Sequence, residues 1–213
     1  MDYNKLAELF LDWNSKINLS SFNTLEEVNV KHIEDSLKLN DYFDLNKKTV
    51  LDVGTGGGFP LLPLAMSNPK ASFTGIDSVH KKLKVIDDIA MQLKIDNIEL
   101  IHARVEELAL DKSYRENFDI VISRAFAKWP INLEMCLPFV KLDGLFIAYQ
   151  GSNVFDFIEK YPNLEEKFGA KIIQKIEYEI ASSKHYFVVL KKFKHTNPKY
   201  PRGLKSLKKL YNL

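Results

Sequence analysis

Hydrophobic and polar positions along the chain predict helices and strands in a regular order. Leu6, Leu9, Phe10, Trp13 and Ile17 fall at i, i+3, i+4, i+7 and i+11, one face of an amphipathic helix. Polar and small residues at 14–21 break that pattern. A second helix is expected from Thr24, which suits an N-cap ahead of Glu26 and Glu27, to about residue 39. Val28, Ile33, Leu37 and the intervening His32 share much of one of its faces. Val50, Leu51 and Val53 read as a short strand buried on both faces. Residues 59–66 supply about two helical turns, and 71–76 a second strand. Leu83, Ile86, Ile89, Ala90 and Leu93 make the core-facing stripe of a further helix. Strands follow at 98–103, 118–123 and 144–149, with helices at 130–140 and 154–160, the last closed by Pro162. Two strands at 170–180 and 184–190 are joined through Ala181, Ser182 and Ser183, a link short enough to force them antiparallel. The expectation is an α/β fold, a seven-stranded mixed sheet ending in an antiparallel hairpin, with an N-terminal helical extension capping the sheet's carboxyl edge. The predicted organisation is a helical cap at 1–45, a sheet domain at 46–192 and a tail at 193–213, with no internal repeat.

Composition narrows the setting. The chain has 213 residues, which suits one domain with an appendage, and 46% are apolar, enough for a sizeable core. Its one cysteine, Cys136, lies in an apolar stretch and reads as core. A single cysteine forms no internal disulfide, which fits a reducing compartment. The N-terminus mixes acids with apolar residues and is not a signal peptide, and no apolar run reaches the length of a membrane span. A cytoplasmic monomer without a metal site or a membrane partner is expected. The net charge of +2 conceals an asymmetry: residues 180–213 carry nine Lys and Arg and no acid, leaving the remainder acidic. A basic terminus on an acidic body points to a polyanionic partner, weighed against a merely solvated lysine-rich tail.

The chemistry concentrates between Val50 and Asp77. A strand runs directly into Gly54, Gly56, Gly57 and Gly58, then a helix, then a strand ending in Asp77. This is the nucleotide-binding half of a doubly wound sheet. A carboxylate at the second strand's tip accepts both hydroxyls of a ribose, and Asp77 stands near the spacing expected of such an acid. A dinucleotide fingerprint needs a third glycine, but its position is Phe59 or Leu61, depending on the starting glycine. The pattern D-x-G-x-G-x-G from Asp52 instead resembles the first motif of class I, Rossmann-like S-adenosylmethionine methyltransferases. That donor has an adenosine but no phosphate, so it requires the ribose acid and not a phosphate cradle.

Six blocks carry a closer resemblance: WNSKINLS (13–20), KHIEDSL (31–37), LDVGTGGGFPLLPLA (51–65), GIDS (75–78), RVEEL (104–108) and ISRAFA (122–127). Together they are similar to the RsmG family, also called GidB, the 16S ribosomal RNA (guanine-N7) methyltransferases. The resemblance implies methylation of one guanine in the decoding region of the small subunit or its precursor, with S-adenosylmethionine as donor. It assigns Gly54, Gly56 and Phe59 to the cofactor loop, Asp77 and Ser78 to the ribose, and Val105 and Glu106 to the adenine edge. Arg124 falls beside the methionine moiety and the catalytic pocket. His32 and Asp35 match the N-terminal motif lining that pocket, which makes His32 a second candidate catalytic residue. Two departures stand out: Gln150–Gly151 replaces the Lys-Gly frequent after strand five, and the tail keeps Tyr-Pro-Arg at 200–202 but diverges beyond it.

The absences agree. Guanine N7 offers a lone pair and no proton, so no general base is needed, and the Arg124 guanidinium only donates. An amine-methylating enzyme would be expected to carry an Asn/Asp-Pro-Pro-aromatic motif after strand four, and a pyrimidine C5 enzyme a cysteine nucleophile. Phe126 and Trp129 suit stacking on a flipped-out base and core packing equally. Three rival readings compete: a nicotinamide-dependent oxidoreductase, disfavoured by the absent third glycine; a non-catalytic RNA-binding module, disfavoured by intact Asp77 and Arg124; and a small-molecule methyltransferase, disfavoured by the basic tail.

Overall fold

The computed structural model describes residues 1–212; Leu213, the end of the basic tail, lies outside them. Seven strands form one sheet: β1 (Thr49–Val53), β2 (Ser72–Asp77), β3 (Ile98–His102), β4 (Phe118–Arg124), β5 (Val140–Gln150), β6 (Ala170–Ile180) and β7 (Ser183–Lys192). Their order is β3-β2-β1-β4-β5-β7-β6. The pairs β1–β2, β2–β3 and β4–β5 are parallel, and β5–β7 is antiparallel. The expected mixed sheet is therefore present. The helices are α1 (Tyr3–Ile17), α2 (Leu25–Val28), α3 (Asp35–Leu37), α4 (Leu61–Ser67), α5 (His80–Leu93), α6 (Val105–Leu108), α7 (Trp129–Cys136), α8 (Val154–Lys160) and α9 (Leu204–Tyr211). The chain divides into two compact units, Met1–His102 with Glu179–Ser183, and Ala103–Tyr178 with Lys184–Leu213.

In the first unit α1 buries Leu6 and Phe10 of its predicted face together with Ala7 and Asn14, while Leu9, Trp13 and Ile17 are half-buried. Trp13 Nε1 donates to Asp88 Oδ2 at 2.8 Å, which ties α1 to α5. Helix α1 runs on to Ile17, through the polar residues that the pattern treats as a break. Asn14 explains this. Its buried side chain accepts from the N–H groups of Leu19 and Ser20 and donates to the carbonyls of Ser20 and Phe22. A polar residue on the inner face thus satisfies the backbone of the following loop. Thr24 caps α2 with a reciprocal capping box: its hydroxyl accepts from Glu27 N–H while the Glu27 carboxylate accepts from Thr24 N–H. The expected second helix is not uniform. Between α2 and α3 it widens into a π turn at Asn29–Glu34 that holds His32, and it ends in a 3₁₀ turn at Lys38–Asp41. π turns concentrate at functional sites.

In the second unit all eight residues of α7 are buried, as suits a helix without a polar face. Ser123 Oγ and Cys136 Sγ donate to Asn132 Oδ1, which also places the cysteine in the core as expected, while Asn132 Nδ2 is buried without a hydrogen-bond partner among the described residues. Glu134 accepts two guanidinium bonds from Arg202, at 2.9 and 2.7 Å, and one from its backbone N–H at 2.8 Å. Strand β5 begins at Val140, four residues before the predicted start. Its register against β4 shifts between Phe118 and Ile120. The β6–β7 link is a two-residue turn, with Ala181 and Ser182 both at positive φ, the backbone that matches strand twist in a hairpin.

The segment after β7 is docked against this unit. The Arg115 guanidinium donates to the carbonyls of Ala109, Thr196, Asn197 and Tyr200. Lys192, fully buried, donates to Leu137 O and Thr196 Oγ1 and pairs with Glu116. Helix α9 buries Leu207 and Tyr211. Burial pushes the Lys192 ammonium down to about 8 against the pull of Glu116. Burial also acts on Glu116, but the Thr196 N–H, His195 and Lys192 outweigh it and hold this carboxyl below its ordinary range. The stability Glu116 contributes is therefore complete above the ordinary carboxylate range and is lost as pH falls through its lower folded-state value. Lys192 has the same sign in a higher window. Between about 8 and 10.5 only the unfolded chain keeps that proton, so this group adds stability as pH rises through the window. Glu116→Gln is expected to flatten the acid limb of the stability profile, read as melting temperature across the acid range.

Candidate active site

The first unit supplies the glycine turn and the acid. Gly54 N–H and Thr55 N–H both donate to Ile76 O at 2.9 Å, which pins the turn to the end of β2. Gly56 lies at φ +58, and the position of a Cβ there meets only Gly54 O, at 3.7 Å. Its backbone is left-handed and open to a close neighbour. The Gly56 N–H donates to Asp77 Oδ2 at 3.0 Å, and the Val79 N–H to Oδ1 at 2.8 Å. Asp77 is buried, and each oxygen accepts one backbone bond. A carboxylate has about four acceptor sites, so capacity for two sugar hydroxyls remains. The turn and the acid are thus brought together, with Ser78 next to Asp77 in the chain.

Aromatic packing backs the turn. A Cβ on Gly57 would lie 2.9 Å from Phe10 Cε2, so α1 rests directly on the glycine loop. The His32 ring stacks on Phe59 at 4.6 Å with planes 11° apart, and it meets Phe10 and Phe22 edge-on at 5.5 and 5.0 Å. Its Nε2 is 2.9 Å from Ser20 Oγ. His32 is thereby joined to the loop residue Phe59, and Asp35 is buried one turn further on. Sequence reasoning did not connect the residues that enclose His32, because Phe10 reads as helix core, Ser20 closes the 13–20 block without an assigned role, and Phe22 lies in no motif. It also missed His102, whose Nε2 lies 3.0 Å from Ser78 O and whose ring stacks on His80.

The second unit supplies the remaining expected residues. Val105 and Glu106 are the first two residues of α6, after Arg104 at its N-cap; Val105 is buried and Glu106 half-buried. Arg124 ends β4, half-buried, where the chain turns through Ala125 at φ +53. A non-glycine residue in that conformation often marks a site held in shape by its surroundings. Trp129 is only 1% exposed, so of its two readings packing is the one observed, while Phe126 is half-buried. Among the described residues no group of three His, Cys, Asp or Glu could hold a metal, and no helix is long and apolar enough to cross a membrane.

The fold has known counterparts. It is similar to the M. jannaschii protein TYW2, solved in complex with AdoMet, with TM-score 0.59 and 21% identity over 83% of this chain and 77% of that one. It is also similar to the M. jannaschii fibrillarin pre-rRNA processing protein, with TM-score 0.56 and 15% identity over 71% of this chain and 70% of that one. The sheet is that of a class I methyltransferase that uses S-adenosylmethionine. The model of the GidB family, rRNA small subunit methyltransferase G, matches residues 2–185. Ribosomal RNA small subunit methyltransferase G of Clostridium novyi (strain NT) is 39% identical over 198 residues, 92% of this chain and 82% of that protein. Its counterpart in Clostridium tetani (strain Massachusetts / E88) is 37% identical over 202 residues, 93% and 84% of the two chains. The chain belongs to the GidB family of small-subunit ribosomal RNA methyltransferases.

Proposed function

We propose that the protein methylates N7 of one guanine in the decoding region of 16S ribosomal RNA. The observation that carries the reading is Asp77: a buried carboxylate anchored by Gly56 and Val79, with acceptor sites to spare beside an open left-handed glycine. S-adenosylmethionine supplies an electrophilic methyl group on a sulfonium. The protein aligns it: Asp77 takes the sugar hydroxyls, Gly54, Gly56, Phe59 and Ser78 form the walls, and Val105 and Glu106 hold the adenine edge. Arg124 orients guanine or the donor's carboxylate through charge-assisted hydrogen bonds. No proton leaves N7, so His32 has no base to be. Its aromatic enclosure makes it a positioning residue that holds Phe59 in place. His32→Phe is then expected to retain methyl transfer, and a loss of turnover at unchanged donor affinity would restore a chemical role.

The test of the function is transfer of a tritiated methyl group to small ribosomal subunits from an unmodified strain, with the labelled base mapped. Label at N7 of a single guanine is expected, and its disappearance with Arg124→Ala. Label at another atom, or none, rejects the reading.

The basic C-terminal segment, residues 180–213, reads as the RNA contact. Of its nine cations, Lys192 and Arg202 are engaged with Glu116 and Glu134, and Lys184 and Lys191 pair with Glu177 and Asp143. Lys194, Lys199, Lys205, Lys208 and Lys209 are exposed. If all five meet phosphate, log affinity should fall against log salt with a slope of about −3.5 to −4.5. Replacing Lys205, Lys208 and Lys209 by Ala should flatten it by about 2. A flat dependence in the parent removes the tail from binding. The setting that goes with this reading is a cytoplasmic monomer acting on the small subunit or its precursor.

A further inference from the structure

A cavity of about 280 Å³ opens in the second unit where β4 and β5 end, lined by Ala125, Lys128, Trp129, Gln150, Asn153 and Phe157 among others. Arg124 and Tyr149 are partners in the β4–β5 register, so the cavity sits at the carboxyl ends of two adjacent parallel strands, where open α/β sheets bind ligands. We propose that this cavity receives the target guanine and reads its Watson–Crick edge through Gln150 and Asn153. The inference deepens the function proposed above and rests on it.

Size is the first argument. The volume is at the small end for ligand pockets, which suits one extruded base and not a paired strand. Chemistry is the second. Its charged lining group is an ammonium, with no carboxylate or thiol beside it, and its other polar side chains are two amides and the Trp129 indole. Guanine's Watson–Crick edge presents two kinds of donor, N1–H and the exocyclic amine, beside the O6 acceptor. An amide oxygen accepts from the first pair and an amide nitrogen donates to O6. The Lys128 ammonium also donates to O6, a pairing that adenine, with an amine at that place, cannot make. N7 lies off this edge, so recognition leaves the nucleophile uncovered for the methyl group.

Placement is the third argument. Gln150 is the last residue of β5, and Lys128 is the N-cap of α7, which has proline in its first turn. Both are therefore set on rigid elements, as a discriminating site requires. Trp129 closes the wall from within, and the half-buried Phe157 offers a ring on which a base stacks. The left-handed Ala125 turns the chain into the cavity rim directly after Arg124.

The experiment uses the full-length enzyme and small subunits reconstituted with guanosine or inosine at the methylated position. Inosine keeps N7 and O6 and lacks only the exocyclic amine. The wild-type enzyme is expected to lose about 10- to 100-fold in kcat/KM on inosine. Gln150→Leu and Asn153→Leu should each fall by a comparable factor on guanosine, and at least one should show little further loss on inosine. Binding of S-adenosylhomocysteine by calorimetry should match the parent in both, which establishes that the variants are folded. A wild-type enzyme indifferent to inosine overturns the proposal, as do variants that keep the parent's full inosine penalty. A wild-type enzyme inactive on guanosine instead sinks the underlying function, so the two failures are distinct.

Discussion

Asp77→Ala is expected to weaken S-adenosylhomocysteine binding by at least about 100-fold, measured by calorimetry. The substitution removes the carboxylate proposed to accept two ribose hydroxyls, and hydrogen bonds to a charged group are worth about 1.5–3 kcal/mol each. It also releases Gly56 and Val79, whose N–H groups the carboxylate holds at 3.0 and 2.8 Å. The turn therefore loses its anchor at the moment the ligand loses its acceptor. A melting curve separates these effects: the released N–H groups lower stability by about 1–3 kcal/mol. A variant that binds as tightly as the parent would remove the carboxylate from the donor site, and with it the reading of the first unit.

Arg202→Ala is expected to destabilise the protein by about 3 kcal/mol, seen as a fall of roughly 6–12 °C in melting temperature. Glu134 lies on α7 with a side chain wholly removed from solvent, and Arg202 meets both its oxygens. Removing the cation leaves a buried carboxylate without its charge partner, which typically costs about 3–5 kcal/mol. The low end applies because the Arg202 side chain is 41% exposed, so water reaches the vacated place. Replacing both residues by methionine should recover most of the loss, since a packed apolar pair needs no compensation. If Arg202→Ala melts with the parent, the pair does not hold the tail.

The two results divide along what the sequence disclosed. The strand, glycine turn and acid were legible because every requirement is local: φ > 0 at Gly56, a helix behind it, and a carboxylate one crossover later. The mixed sheet with its closing hairpin followed from the alternation of strands and helices and the short link at 181–183. The tail was only half legible. Its charge was plain, but nothing near Arg202 in the chain indicates that its partner is Glu134, 68 residues earlier inside an apolar helix. Lys192 is similar, since its partner Glu116 comes from a distant segment. Composition counts such residues as surface cations, although burial has already committed them. Asn14 failed for the opposite reason: a polar side chain inside a helix pattern reads as an interruption unless the loop it serves is in view. The length of β5 and the π turn at His32 depend on tertiary pairing and packing, which override local propensity.

Because Phe10 lies against Gly57 and His32 against Phe59, the donor loop borrows its rear support from the first forty residues. A fragment trimmed to the sheet alone would leave Phe59 bare to water and the loop without a fixed shape. Any minimal version of this enzyme must accordingly begin at α1, and an engineered fusion that levers that helix outward would silence the protein without touching a single group that meets the methyl donor.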